Sequence, residues 1–580
     1  MVKLRDCLRQ FARNEDGAFI VLFGVMAVVL TALSGAVVDY TRMQEQRNRA
    51  QIALDSAALA LQEGIFTRSR EDIRIDAERL VRERAGNNSA NVWVEDAFID
   101  TDAGSLTLTG GVDVPMLFVR LVGVENLTAA ITSQATRKKL RLEVAMVLDN
   151  SGSMLQQNRM EHLQKAATNA VNILFDGESV HNDVFISVVP YTYHVNVGAH
   201  NADEFWVDRG DSRLSGDNFR FDPGTINYIP TSTPQPKNYS PTTPLAEQDR
   251  HVDRVWLYNQ INNESWRGCV EARPHPLDVM DIPPRRGGAI PPDDSDVTAI
   301  SNALSWRETL FVPLFAPDLP DRLGGSGTNT YLQYVGDTGG VCQAPHPAND
   351  ASGDFARQER ICKYIGVNLN HAGDFRGPNV DCGKPMLPLT NVRQPILNSI
   401  NDMVALGGTN IHMGAMWGWH TLSPHEPFPA ADYDDDDISK VMILMTDGEN
   451  TPYEITANNT NNPNGSWLFS AYGHPVNNQR SRDNTSDRLD GFIRLGKRLW
   501  NKAQLKAEMD RRLEETCTNA KAAGIRIYSI GLAVSAQADR DMMTRCATSP
   551  QDAYFTNNPA DLNSVFEEIA DQLSALRLSL

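Results

Sequence analysis

Asp149-Asn150-Ser151-Gly152-Ser153 places three oxygen-bearing side chains at alternate positions of one short loop, directly after an apolar run. Gly152 lets the backbone bend so that those oxygens converge. Two further segments carry the same chemistry: Thr409 follows Gly407-Gly408, and Asp447-Gly448 follows the apolar run 441–445. Three hydroxyls with two carboxylates make a hard-oxygen set suited to Mg²⁺, with water filling the remaining positions; Ca²⁺ or Mn²⁺ can substitute. Where carboxylates act through water, the ion keeps electrophilic capacity, and an Asp or Glu of a partner can add one more ligand. Alone, the first loop reads equally well as a Ser-rich turn. The three pieces in order, each after a suitable element, specify an ion site.

The elements that must position these residues alternate from Arg141 onward. Apolar runs at 142–148, 184–189, 441–445 and 525–530 read as buried strands, with a short last strand at 553–555. Helical spacing recurs at 159–175, 392–406 and 559–573. Continuous apolar strands alternating with helices specify an α/β fold, a parallel sheet covered by helices on both faces. Loops at the carboxyl ends of such strands meet at a switch point. This domain is expected over about 141–575, with large insertions at about 196–390 and 451–487, where added length falls on loops.

Seven cysteines are present, with Cys7 apart from the rest. Cys269, Cys342, Cys362 and Cys382 fall in the first insertion, and Cys517 and Cys546 flank the strand at 525–530. No C-x-x-C pair occurs, so a zinc ribbon or a thioredoxin-like motif is not indicated. An even number beyond an apolar segment predicts disulfides formed in an oxidising compartment. Cys517 is expected to pair with Cys546, and the other four among themselves in an order left open.

Residues 18–38, AFIVLFGVMAVVLTALSGAVV, carry no charge and match a bilayer-spanning helix in length. They exceed a secretory signal core, so a retained anchor is expected, with Gly35-Ala36 as the one pair resembling a cleavage site. A tail at 1–17 carries Lys3, Arg5, Arg9 and Arg13, against Arg42, Arg47 and Arg49 beyond the run. That balance weakly favours a cytoplasmic N-terminus, and the cysteines place the large part outside the cytoplasm more strongly. Residues 39–64 continue as an amphipathic helix, a stalk or a packing helix by periodicity alone. Residues 91–136 alternate between turn signals and form a small β-rich module.

The formal charge of −19 disfavours nucleic acid as a partner. The acidic run Asp432 and Asp434 to Asp437 lacks EF-hand spacing and reads as a solvated loop. His412, His420 and His425 lack zinc-protease spacing, and no G-x-S-x-G or phosphate-binding loop occurs. Ser151 and Ser153 have no identifiable base, so an enzyme is not expected.

The segment 141–573 resembles a von Willebrand factor type A (VWA) domain with a doubly wound sheet, and Asp149, Ser151, Ser153, Thr409 and Asp447 match that family's metal-ion-dependent adhesion site. The resemblance implies direct ligation by Ser151 and Ser153. It implies direct or water-mediated ligation by Thr409, and mainly water-mediated ligation by the aspartates. The long insertion after the strand at 184–189 departs from the family pattern.

At the other end, Glu15-Asp16-Gly17-Ala18, the apolar run, Asp39-Tyr40-Thr41-Arg42 and Gln51-x-Ala53-Leu54-Asp55-x-Ala57-Ala58-Leu59-Ala60 look like the start of the TadE/TadG family of Flp (tight adherence) pilus systems. Trp266-x-Gly268-Cys269-Val270-Glu271 and Met445-Thr446-Asp447-Gly448-Glu449-Asn450 also look typical of that group. Leu22 stands where a prepilin leader would carry Glu, so prepilin processing is not implied. Together the resemblances imply a single-pass inner-membrane protein that supports pilus assembly and surface adhesion. Its partner would be a pilus-assembly or envelope protein offering an acidic residue. The alternative is a stand-alone exported VWA receptor or a metal-dependent enzyme unrelated to pili, which co-purification with pilus components would separate.

Overall fold

Helix α1, Asp16–Leu61, contains the uncharged run and continues past it without a break. In the computed structural model, residues 16–65, 68–85, 91–100, 104–136, 140–209, 253–287, 306–318, 321, 334–337, 340, 342, 360–369, 376–452, 469–473, 489 and 502–577 are described. The basic tail, Cys7 and most of both expected insertions lie outside the described residues. Among those described, α1 is the one helix long and apolar enough to cross a membrane. The chain divides into two units at Leu140/Arg141.

In the first unit, α1 is exposed along its apolar half and buried along its second half. Ala50, Ala53, Leu54, Ala57, Ala58 and Leu61 pack with Ile73, Ala77 and Val81 of α2, Arg70–Ala85, and with a three-stranded antiparallel sheet. That sheet consists of β1 (Asn91–Asp100), β2 (Ser105–Pro115) and β3 (Asn126–Thr136), in the order β1-β2-β3. The helical residues beyond the apolar run are thus one wall of a small core. The alanine spacing lets α1 approach the sheet closely. Periodicity did not reveal α2, in which charged residues outnumber apolar ones and pair along the helix, as Arg74 does with Glu71 and Glu78.

The second unit is built on a mixed sheet. Its strands are β4 (Arg141–Asp149), β5 (Val184–Tyr191), β6 (Val195–Asn196), β7 (Cys269–Val270), β8 (Leu387–Thr390), β9 (Ile438–Thr446), β10 (Arg526–Leu532) and β11 (Ala553–Thr556). The order is β11-β10-β9-β4-β5-β6-β7, with β8 also pairing β5. The pairs β11/β10, β10/β9, β9/β4 and β4/β5 are parallel, and β6, β7 and β8 join antiparallel. The parallel strands therefore run second, first, third, fourth, fifth in chain order, and the order reverses between β4 and β9.

Alternate residues of each central strand serve opposite faces. Val144, Met146 and Leu148 pack with α3 (Arg159–Phe175), α5 (Arg393–Asn401) and α9 (Leu562–Arg577). Ala145 and Val147 pack with α6 (Ile411–Leu422), α7 (Lys502–Ala522) and α8 (Gln537–Cys546). Between β6 and β8 the chain contributes Trp206, Trp256, Phe311 and Phe315 to this second core, together with the five-residue helix α4, Arg254–Tyr258. The first insertion is in this respect a source of core. Glu143 is buried in the sheet because Lys440 on neighbouring β9 donates to it at 2.6 Å.

One expectation needs correction, and one helix had none. The helix predicted over 392–406 ends at Asn401, and Val404 is exposed rather than packed. Helix α6 was not predicted at all. Every one of its residues is buried, so it has no polar stripe to generate a helical period. Its N-terminus is fixed by Asn410, whose side chain accepts from the Met413 N–H at 3.2 Å.

Three disulfides join Cys269 to Cys382, Cys342 to Cys362 and Cys517 to Cys546. The last links α7 to α8 across the face of β10, the pairing expected from their flanking positions. The first ties β7 to the segment just before β8.

Candidate metal centre

Asp149 ends β4 and Asp447 follows β9, the two strands between which the order reverses. Crevices at the carboxyl ends of strands at such a point are where open α/β sheets place ligands. Adjacent parallel strands bring together loops almost three hundred positions apart. The Ser153 hydroxyl donates to Asp447 Oδ1 at 2.6 Å, and the Ser151 and Ser153 hydroxyls lie 2.9 Å apart. Asp149 accepts from the Ser151 N–H at 2.8 Å, from the Thr446 hydroxyl at 2.8 Å and from the Asp447 N–H at 3.3 Å.

The third segment approaches through glycine. The Gly152 N–H donates to the Gly407 carbonyl at 2.9 Å, and a Cβ at Gly152 would lie 3.0 Å from that oxygen. Gly407 has φ +65°, a left-handed conformation that favours glycine. The Leu406 N–H also donates to the Asn150 carbonyl at 2.7 Å. Thr409 is thereby held in the loop that touches the Ser151-Gly152 turn, and it is buried. Among the described residues, no hydrogen bond joins its hydroxyl to the other four candidates. The structure thus links Asp149, Ser151, Ser153 and Asp447 through side-chain and backbone hydrogen bonds, and Thr409 through its loop.

Three residues of the site were missed in the sequence. Arg159, the first residue of α3, donates to Asp447 Oδ2 at 2.9 Å and is the nearby counter-charge. Nothing local distinguishes it from any arginine at a helix start. Thr446 orients Asp149, although its place beside Asp447 was a usable signal. Asn450, in the same motif, accepts from the Ile411 N–H at 2.8 Å and donates to Asp510 at 2.8 Å, tying the loop after β9 to α6 and α7.

Burial pushes the Asp149 carboxyl up to about 6, and the charge of Asp447 pushes it the same way; the Ser151 and Thr446 hydrogen bonds oppose both. Two acidic groups confined together in a buried site favour a cation. Among the described residues, no three His, Cys, Asp or Glu side chains gather to hold a metal. The set here is instead two carboxylates and hydroxyls. Each hydroxyl that gives its proton to a carboxylate keeps lone pairs for an ion. The Asn150 side chain is buried with no hydrogen-bond partner for either polar atom, which is unusual for a site complete without water or an ion. The donor set therefore fits a hard divalent cation.

Several solved pilus proteins align with this chain. The pilus adhesin SpaC from Lactobacillus rhamnosus GG aligns over 84% of this chain and 35% of its own, at 11% identity and a TM-score of 0.31. This chain thus spans 35% of the length of SpaC. The vWF domain of the type V pili tip protein Mfa5 from Porphyromonas gingivalis aligns over 76% of this chain and 97% of its own, at 11% identity and 0.30. The pilus adhesin RrgA from Streptococcus pneumoniae aligns over 84% and 49%, at 8% identity and 0.31. A comparison with curated proteins found no match. Residues 17–63 match the family described as Putative Flp pilus-assembly TadE/G-like, so helix α1 and the turn that follows it form a TadE/G-like segment.

Proposed function

We propose that this chain is a membrane-anchored VWA-type protein that binds a divalent metal, Mg²⁺ in the first instance, and supports Flp-type pilus assembly and surface adhesion. The carrying observation is the convergence of Asp149, Ser151, Ser153 and Asp447 where the strand order reverses. The TadE/G-like match at 17–63 supplies the pathway, and α1 supplies a helix suited to a single membrane pass. In this reading the fold is a doubly wound VWA sheet. The large part lies outside the cytoplasm, where its three disulfides are stable.

When bound, the ion supplies an electrophilic position for a carboxylate of a pilus or envelope partner. Ser151, Ser153 and Thr409 would hold it by their hydroxyl oxygens, with Asp149 and Asp447 offsetting its charge. Arg159, paired with Asp447, competes with the ion for that carboxylate's charge. No turnover is proposed, since the Ser151 and Ser153 hydroxyls bond to each other and the Ser153 hydroxyl to Asp447, with no imidazole among these partners.

The test compares a deletion strain with one carrying Asp447→Ala, scoring piliation and attachment. Loss of both in the deletion strain is expected; normal piliation and attachment there would remove the pathway. Full rescue by folded, correctly located Asp447→Ala protein would remove the metal's part alone.

A further inference from the structure

Asp39 lies one residue beyond the uncharged run and is 1% exposed. Its carboxylate accepts three backbone N–H groups, from Leu117 at 3.1 Å, Phe118 at 2.7 Å and Val119 at 2.8 Å. These donors open the 3-10 turn Val119–Val122, which follows β2. A side chain of α1 thus caps a turn far away in sequence and pins it beside the end of the apolar run.

Gly35 strengthens the same contact. The Phe118 side chain occupies the space a Cβ at Gly35 would need. Gly35 is four residues before Asp39, about 6 Å back along the helix at ~1.5 Å per residue. Phe118 therefore packs beside the last turn of the span. Next to it, Leu117 is 58% exposed, and Val124 and Leu127 are each 38% exposed. Arg120 is exposed within the same turn.

The backbone of this loop suits a poorly hydrated setting. Besides the three N–H groups on Asp39, Met116 donates to the Glu125 carbonyl at 2.9 Å, Gly123 to Arg120 at 3.1 Å and Val124 to Val119 at 3.4 Å. Unpaired donors are what lipid penalises most. Isolated exposed leucines are ordinary in soluble proteins. Here the apolar side chains are tethered alongside the end of a membrane-length helix, continuous with its exposed Val37 and Val38.

We propose that the loop 116–124 is a second membrane contact, a lipid-interface anchor in which Leu117 and Phe118 enter the acyl boundary and Arg120 meets anionic headgroups. Aromatic and basic side chains at this depth are the usual interfacial anchors. The proposal rests on α1 spanning a bilayer. The loop would then restrict tilt and rotation of the helix, so that the first unit leaves the membrane in one orientation.

The test uses full-length protein carrying Cys7→Ser, reconstituted into vesicles of phosphatidylethanolamine and phosphatidylglycerol. A polarity-sensitive fluorophore is placed singly through Leu117→Cys, Val29→Cys in the span, or Ile75→Cys on α2. Lipids carrying a nitroxide on the upper acyl chain act as quencher. Quenching at positions 117 and 29 but not at 75 is expected, with the signal at 117 lost when Asp39→Ala is added and that at 29 retained. Quenching at 29 without quenching at 117 overturns the loop anchor and leaves the span intact. Absence of quenching at 29 overturns the span and the loop anchor with it. Quenching at 117 that persists with Asp39→Ala overturns the role of the Asp39 cap.

Discussion

The Ser153 hydroxyl donates to the Asp447 carboxylate at 2.6 Å across 294 positions of sequence. That single hydrogen bond joins the loop after β4 to the loop after β9. With the Asp149 and Arg159 contacts to Asp447, it makes the two halves of the candidate ion site one structure.

Asp149→Ala is expected to abolish thermal stabilisation by Mg²⁺ while leaving the sheet intact, because Asp149 is the last residue of β4 and the other candidate ligands sit on loops beyond the strand ends. Thermal melts with Mg²⁺ and with chelator measure it. An equal metal-induced shift in wild type and variant would sink the assignment.

The metal-free protein should lose stability as pH rises from about 4 to about 6. Burial holds Asp149 in the folded state up at about 6, above the ordinary carboxylate value of 3.8. Its proton is therefore bound more tightly folded than unfolded, a contribution present below the unfolded pKa and lost as pH passes the folded one. A shift of this size corresponds to on the order of 3 kcal/mol. Asp149→Asn should accordingly stabilise the chelated protein at pH 8 and change little at pH 4, in denaturant unfolding. A destabilised Asn variant at pH 8 would contradict the buried-charge account.

Arg159→Met should raise Mg²⁺ affinity and lower the stability of the metal-free form. Arg159 is 2.9 Å from Asp447 and is itself largely buried, so it offsets a charge the ion would otherwise claim. An affinity gain of about tenfold corresponds to ~1.4 kcal/mol. Calorimetric titration measures it, and weaker binding in the variant would show that Arg159 helps assemble the site.

Replacing both Cys517 and Cys546 by Ser should cost about 2–4 kcal/mol of stability, the usual consequence of releasing a loop of this kind. The two are 29 positions apart and bridge α7 and α8. Peptide mapping under non-reducing conditions must first recover the linked pair; two free thiols there would refute the link.

Gly418→Val should destabilise the second unit by about 1–3 kcal/mol or more through overpacking. A Cβ at Gly418 would overlap Val147 of β4, and one at Gly414 would come within 2.6 Å of the Tyr191 ring. Glycines one turn apart let the fully buried α6 lie directly on the sheet. Unchanged unfolding midpoints for Gly418→Val would show that the helix has room to retreat.

Local pattern was enough for several parts of this protein. Apolar runs marked β4, β5, β9 and β10 because a strand covered on both faces must be apolar throughout. Asp149, Ser151, Ser153, Thr409 and Asp447 could be named as candidates because hard-oxygen side chains followed those runs and a Gly-Gly pair. The uncharged stretch within α1 declared its length, and Cys517 and Cys546 flanked one strand. What tertiary structure decided was adjacency. Only the strand order sets β4 beside β9, and so Asp149 beside Asp447. Four cysteines allow three pairings, and the fold selected Cys269 with Cys382 and Cys342 with Cys362. Helix α6 was invisible because burial on every side leaves no alternation to read. The Arg159 and Asp39 contacts were invisible because a charged residue's partner, when distant in sequence, is set by which surfaces pack. Periodicity reports what one element presents to its surroundings, and the partner that meets it is chosen only when the whole chain closes around its cores.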